Sequence, residues 1–274
     1  MMEYRAGQDG ETLTIVTEEG LTVRAVARTD MGMIRSNNED NVQVWTFDQF
    51  LIGMVADGMG GAAGGEFASR LAVDAVQEAL VGAYPDAEAW HSASEDDLTY
   101  KMVQSLIRAN QDVLDRAAED QHLQGMGTTT TMVILRGKRA LFAHIGDSRA
   151  YLVDGITRRV GQVSKDHSFV EALVMSGHLT PEQAAVHPMK NVLYRALGQK
   201  PESELEVDVY TRDFKSGDCL ILCSDGLTRH VSDFEIGDLA MKYPDPAEAT
   251  QRLINLAKER GGEDNISVLA MTIA

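Results

Sequence analysis

Six acids stand where apolar segments begin or end: Glu39, Asp40, Asp57, Asp147, Asp225 and Asp264. Residues 50–56, FLIGMVA, are apolar or glycine throughout, as in a strand buried on both faces, and Asp57 then interrupts the run with no polar lead-in. A carboxylate in that position needs a partner. Gly58, Gly60, Gly61, Gly64 and Gly65 follow, so the chain can turn tightly and approach a ligand before a helix begins near Glu66. The pattern recurs in CLILCSDGL at 219–227, and Asp147 follows the apolar run 140–145. A single Asp-Gly is most often only a turn, and Glu39 with Asp40 read locally as solvated loop acids. It is the recurrence that suggests a shared cation. The donors are all oxygen, with no ordered His or Cys set, which suits a hard divalent ion such as Mg²⁺ or Mn²⁺ better than zinc. Several carboxylates in one cleft repel unless cations compensate, so two ions are favoured over one, and a paired-ion centre suits transfer of a phosphoryl group to water. Arg35, four residues before Glu39, can pair with these acids or hold an anion in its fork of donors.

The elements that must position these residues come in blocks. Residues 12–17 and 22–27 alternate like half-buried strands around a turn at Glu18-Glu19-Gly20, behind a loose arm over residues 1–11. Strands are expected at 42–47 and 50–56, and an amphipathic helix over 66–82 buries Phe67, Leu71, Ala75 and Ala79 with Ala68, Ala72, Val76 and Leu80. A second helix follows Ser94, whose spacing to Asp97 is that of a capping box, and carries Leu98, Met102, Leu106, Ile107, Val113 and Leu114 inward. Strands return at 128–135, 140–145 and 150–153, with a hairpin signal at Asp154-Gly155. Residues 166–197 read as a helical insertion with a helix start at Thr180-Pro181-Glu182-Gln183. Strands at 205–210 and 219–224, helices capped by Ser232 and Asp245, and a strand at 266–273 complete the chain. Blocks of strands separated by blocks of helices argue for antiparallel sheets with helices packed outside.

With 274 residues and no linker, repeat or low-complexity tract, one large domain is expected. No apolar stretch approaches the roughly 20 residues that span a bilayer, so a soluble, cytoplasmic protein is expected. A formal charge of −17 disfavours nucleic-acid and anionic-membrane partners. Cys219 and Cys223, four apart on one strand, are roughly 13 Å apart and cannot bridge each other, so both read as core.

Six segments occur together and in order: Arg35-Ser-Asn-Asn-Glu39-Asp40, Val55-Ala-Asp57-Gly58-Met-Gly-Gly61, Gly127-Thr128-Thr129, Gly146-Asp147-Ser148-Arg149, Ser224-Asp225-Gly226-Leu227 and Glu263-Asp264-Asn265-Ile266. Each is weak alone, but in register they resemble the metal-dependent type-2C serine/threonine protein phosphatases of the bacterial branch, from about residue 22 to the last residue. The resemblance implies an α+β fold, a four-layer α-β-β-α sandwich of two antiparallel sheets flanked by helices. The domain would span 21–274 behind an N-terminal arm at 1–20, with 166–197 as a mobile flap beside the cleft that bears on substrate choice. It also implies hydrolysis of phosphoserine and phosphothreonine in proteins by direct attack of a water activated by two Mn²⁺ or Mg²⁺ ions. Asp57 would bridge the ions, the Gly58 carbonyl would bind one, and Asp225 with Asp264 the other. Glu39 and Asp40 would hold ion-bound waters, with Asp40 near the nucleophile. Asp147 and Asp225 would take a third, looser ion, and Arg35 the substrate phosphate. Phosphorylated proteins, among them a Ser/Thr kinase that the enzyme opposes, are the implied partners, and a monomer is expected.

Two features depart from the pattern. Met59 stands where some relatives carry a histidine proposed as general acid, and the arm before residue 20 is longer than usual. A catalytically idle phosphoprotein-binding module of the same fold would be betrayed by loss of a ligand, and none is lost. Gly58-Met-Gly60-Gly-Ala-Ala63 also fits a dinucleotide fingerprint, but no second parallel strand with an acid at its end follows it.

Overall fold

The structure is a computed structural model that describes residues 5–7, 9–60, 64–84, 86–199 and 205–274. Gly61 and Ala63 of the glycine-rich turn lie outside the described residues. In chain order the elements are β1 (Arg5–Ala6), β2 (Thr12–Val16), β3 (Thr22–Asp30), β4 (Asp40–Phe47), β5 (Phe50–Met59), α1 (Gly64–Ala79), α2 (Ala87–Ser92) and α3 (Glu95–Glu119). Then follow β6 (Gly127–Thr128), β7 (Thr130–Arg136), β8 (Arg139–Ile145), β9 (Arg149–Val153), β10 (Val160–Gln162), α4 (Phe169–Met175) and α5 (Pro181–Ala185). The last third holds β11 (Asp208–Asp213), β12 (Cys219–Cys223), α6 (Asp225–Thr228), α7 (Asp233–Lys242), α8 (Pro246–Glu259) and β13 (Ile266–Ile273).

The strands form two sheets, β1-β4-β5-β7-β8-β11 with β6 alongside β5, and β10-β9-β12-β13-β3-β2, and every pairing is antiparallel. That excludes the parallel βαβ unit a dinucleotide fingerprint requires. Three apolar layers bind the sandwich. One, with Trp45, Ile52, Met54, Val76 and Met102, lies between the first sheet and α1 and α3. A second, with Leu51, Val55, Val133, Leu222 and Leu269, fills the space between the sheets. A third, with Ile221, Val268, Ile236 and Leu253, seats α7 and α8 on the second sheet. The expected α-β-β-α order is therefore the observed one.

The N-terminal segment is tied down at both sheets. Arg5–Ala6 pairs with Thr46 and Trp45 at the edge of the first sheet, and β2 pairs with β3 at the edge of the second. One short segment thus covers an exposed edge of each sheet, where unpaired backbone would otherwise offer a template for association.

Several local expectations are corrected. Phe67 is 37% exposed and Ile107 38%, because the helices meet along the smaller stripes Ala68, Ala72, Val76 and Met102, Leu106, Ala109. Asp154-Gly155 does not make a two-residue hairpin. The Asp154 carboxylate accepts from the Ile156 and Thr157 N–H groups, and β9 reaches β10 through residues 154–159. The strand expected at 205–210 lies at Asp208–Asp213, set by its pairing with β8. Residues 166–197 hold only the two short helices α4 and α5 in otherwise irregular chain, the second opened by the expected Thr180–Gln183 capping box.

Candidate metal centre

The period of two along each strand decides where the acids point. On β5, Ile52, Met54 and Ala56 lie under the helices, whereas Leu51 and Val55 face the opposite sheet. Asp57 has the parity of Val55 and continues the inter-sheet face. It is not at the strand's end, since β5 runs on to Met59 by pairing with Gly127–Thr128. On β4, Val42 and Val44 place Asp40 on that face, directly opposite Asp57. On the second sheet, Leu220 and Leu222 place Ser224 there, and Leu269 and Met271 place Ser267. At one end of the sandwich, then, the apolar inter-sheet layer gives way to carboxylates and hydroxyls.

Arg35, Glu39, Asp57, Gly58, Asp147, Asp225 and Asp264 line a single cavity of about 390 Å³ at this end. Asp40 alone of the expected residues is not on its wall. It is buried behind Asp57, where the Ser224 hydroxyl donates to its Oδ2 at 2.7 Å. The turns that carry the acids are held from several sides. Asn265 accepts from the Glu39 N–H at 2.8 Å and donates to the carbonyls of Met31 at 3.0 Å and Asn37 at 2.8 Å, fixing the 31–39 loop. The Asp57 N–H donates to Thr129 Oγ1 at 3.0 Å, and the Thr129 N–H returns to the Asp57 carbonyl at 2.9 Å. Only glycine fits at 58, because a Cβ there would lie 2.1 Å from the Gly65 carbonyl oxygen and 2.5 Å from that of Glu39. Gly146, at φ 109°, makes the turn that presents Asp147.

Most of the acids are held above their ordinary ionisation range. Burial, then the fields of Asp40, Asp225 and Asp147, push Asp57 well above the usual carboxylate range. Burial followed by Asp225 and Asp166 does the same to Asp147. Asp40 is driven up by burial to about 7, against the lowering effect of the Ser224 and Ser267 hydroxyls. Burial raises Asp225 although Arg229 lowers it, and raises Glu39 against Arg35. Such shifts mark carboxylates that ionise fully only beside further positive charge.

Two guanidinium groups stand among them. Arg35 reaches Asp264 Oδ1 at 2.9 Å, while Arg229 bonds Asp225 Oδ2 and lies 2.9 Å from Asp264 Oδ2. Among the described residues no group of three or more carboxylates, imidazoles or thiolates forms a finished ion cage. The donor set nevertheless fits a hard cation. It is all oxygen, and the buried Asp225 Oδ1 has no hydrogen-bond partner, so a strong acceptor is left for a ligand to satisfy. Neither cysteine lies on the cavity wall, and both are buried in β12.

Sequence reasoning missed Arg229 and Asn191, which also line the cavity. Arg229 had one available signal, its i,i+4 spacing from Asp225. Asn191 lies in irregular chain and had none.

A cavity walled by acids at the end of a four-layer sandwich places the protein in a known class. The family model for protein phosphatase 2C matches residues 35–267. The chain is 38% identical over 254 residues to the serine/threonine protein phosphatase PstP of Mycobacterium tuberculosis, covering 92% of this chain and 45% of that relative, so it spans less than half of PstP. It is also 38% identical to the serine/threonine phosphatase stp of Listeria welshimeri, covering 90% of this chain and 94% of the relative. Among solved structures, the Streptococcus agalactiae serine/threonine phosphatase superposes with a TM-score of 0.81 at 31% identity, covering 92% of this chain and all of that one. The catalytic domain of PstP in complex with two manganese ions superposes at 0.76 and 35% identity, covering 93% and 99%. The chain belongs to the protein phosphatase 2C family.

Proposed function

We propose that this protein is a metal-dependent serine/threonine protein phosphatase that hydrolyses phosphoserine and phosphothreonine in proteins, with water as the acceptor. The observation that carries the reading is the convergence of Asp57, Asp147, Asp225 and Asp264 on one cavity, with burial raising the first three above the usual carboxylate range and Asp225 Oδ1 unpartnered. Relatives that match nine-tenths of the chain are named serine/threonine phosphatases, and one related catalytic domain is described with two manganese ions. Asp57, the Gly58 carbonyl, Asp225 and Asp264 would hold a pair of Mn²⁺ or Mg²⁺ ions, and Asp147 with Asp225 would take a third. When bound, such ions lower the pKa of water and neutralise phosphoryl charge.

The chain's own residues set the rest. Arg35, half exposed at the cavity mouth, binds the substrate phosphate by bidentate donation. Asn265 and Gly58 hold Glu39 and the 31–39 loop against the acids. With Met59 on the wall and no histidine there among the described residues, the wall offers no imidazole to protonate the leaving alkoxide. Residues 21–274 make the catalytic domain behind the arm at 1–20, and 166–197 act as the flap that bears on substrate choice, its Asn191 and Leu193 lining the cavity. The setting is cytoplasmic, as a monomer opposing a Ser/Thr kinase. Among the described residues no helix is long and apolar enough to cross a membrane.

Phosphate release from a phosphothreonine peptide, measured with Mn²⁺ and with chelator, tests this reading. Turnover that needs Mn²⁺ and is lost in Asp225→Ala supports it. Turnover unaffected by chelator, or an idle wild-type protein that still binds the peptide, overturns it.

A further inference from the structure

Arg229 follows Asp225 by four residues across the single turn of α6, which lays its side chain back over the carboxylate it must serve. Its guanidinium is engaged twice, by Asp225 Oδ2 and by Asp264 Oδ2 at 2.9 Å, and the pairs are largely shielded, with the arginine side chain 26% and both acids 14% exposed. Arg35 also holds Asp264, at 2.9 Å from Oδ1 and 3.0 Å from Oδ2, so Arg229 is the second positive charge on that acid and the first on Asp225. Arg229 also lines a second cavity of about 410 Å³, which shares Asp147, Asn191 and Asp225 with the first. The guanidinium therefore stands in the partition between two spaces. The second is roomy enough to accept it, and there Asp166 is already taken by Arg149, whose Nη2 lies 2.7 Å from Asp166 Oδ2.

We propose that Arg229 is a built-in competitor for the divalent ion at Asp225 and Asp264. The guanidinium and an ion draw on the same two carboxylates. Entry of the ion requires Arg229 to withdraw towards the second cavity, and the ion binds more weakly than the carboxylates alone would hold it. A guanidinium spreads one charge over a planar fork, whereas a divalent ion concentrates two, so the ion wins at sufficient concentration and the arginine sets that threshold. The protein would then respond to the supply of free Mn²⁺ or Mg²⁺ over a range fixed by one side chain. The inference rests on the reading that Asp225 and Asp264 hold an ion.

The test is calorimetric titration of MnCl₂ into the full chain after chelator treatment, for wild type, Arg229→Met, Arg229→Lys and Asp225→Asn. Arg229→Met keeps reach without charge and is expected to bind Mn²⁺ about tenfold more tightly, while Arg229→Lys stays within about threefold of wild type. In chelator, thermal unfolding of Arg229→Met falls below wild type because Asp225 and Asp264 lose a counter-charge, and its gain on adding Mn²⁺ is the larger. Unchanged or weaker Mn²⁺ binding by a folded Arg229→Met, with Asp225→Asn binding lost, overturns the competition alone. Wild-type affinity in Asp225→Asn overturns the ion site beneath it. Should Arg229→Met fail to fold, Arg229→Gln read by the same titration decides in the same way.

Discussion

Replacing Gly58 by alanine tests how tightly fold and site are joined. The added methyl carbon would sit 2.1 Å from the Gly65 carbonyl oxygen and 2.5 Å from that of Glu39, distances at which something must move. Both neighbours are backbone. Gly65 lies in the first turn of α1, and the Glu39 carbonyl already accepts from the Gly58 N–H at 3.2 Å and the Ser69 hydroxyl at 2.7 Å. Relief therefore means sliding α1 off β5 or breaking the hold on Glu39. Overpacking of this kind costs about 3 kcal/mol, or roughly 6–12 °C in Tm for a chain of this size. Gly82→Ala is the control, since its methyl meets only the Gln77 carbonyl oxygen at 3.5 Å. Urea unfolding of both variants in chelator separates backbone collision from ion loss. A Gly58→Ala protein within about 0.5 kcal/mol of wild type would refute the close approach, since surface changes fall in that range.

Other expectations follow from the same contacts. His144 is fully buried, with Nδ1 2.9 Å from Thr131 Oγ1 and Nε2 2.9 Å from the Lys165 carbonyl oxygen, and burial followed by His167 depresses its pKa from 6.5 to about 3. The folded state thus binds this proton less readily than the unfolded state, and stability falls as pH drops from 6.5 towards 3, by up to about 1.4 kcal/mol per pH unit. His144→Gln should flatten that acid limb in pH-dependent urea unfolding, and an identical limb would count against it. Asn265→Ala removes three hydrogen bonds from a buried site and should cost about 3 kcal/mol and weaken Mn²⁺ binding. A loss under about 1 kcal/mol would mean the 31–39 loop is held elsewhere. Mn²⁺ at about a hundredfold over its Kd should raise Tm by roughly 5–11 °C relative to chelator, and no rise would remove the ion from the account.

The acids were legible because each stands where an apolar segment begins or ends, and Asp57, Asp225 and Asp264 indeed share one cavity. Which face Asp57 takes was not legible. β5 is buried on both faces, so alternation is silent, and only pairing with β4 and β7 and the packing of Leu269 against Gly53 give the inter-sheet side its identity. The helices were found by caps that are local in sequence, at Ser94, Thr180, Ser232 and Asp245. Most of their buried stripes were found too, but Phe67 and Ile107 were placed inside them because large residues weigh most in a periodicity, while close helix approach selects alanines. β1, two residues long, carries no pattern at all, and its place comes from an unpaired edge of β4. Arg229 reads in sequence as one more charge on a solvated helix, and only the fold sets it against Asp264, 35 residues away.

The most direct measurement is anomalous diffraction at the manganese absorption edge from crystals grown with Mn²⁺. Two neighbouring peaks inside the cavity, flanked by Asp57, Asp225 and Asp264, are the predicted result. Peaks confined to the surface, or a cavity without any in crystals of a protein that is active with manganese, would contradict it.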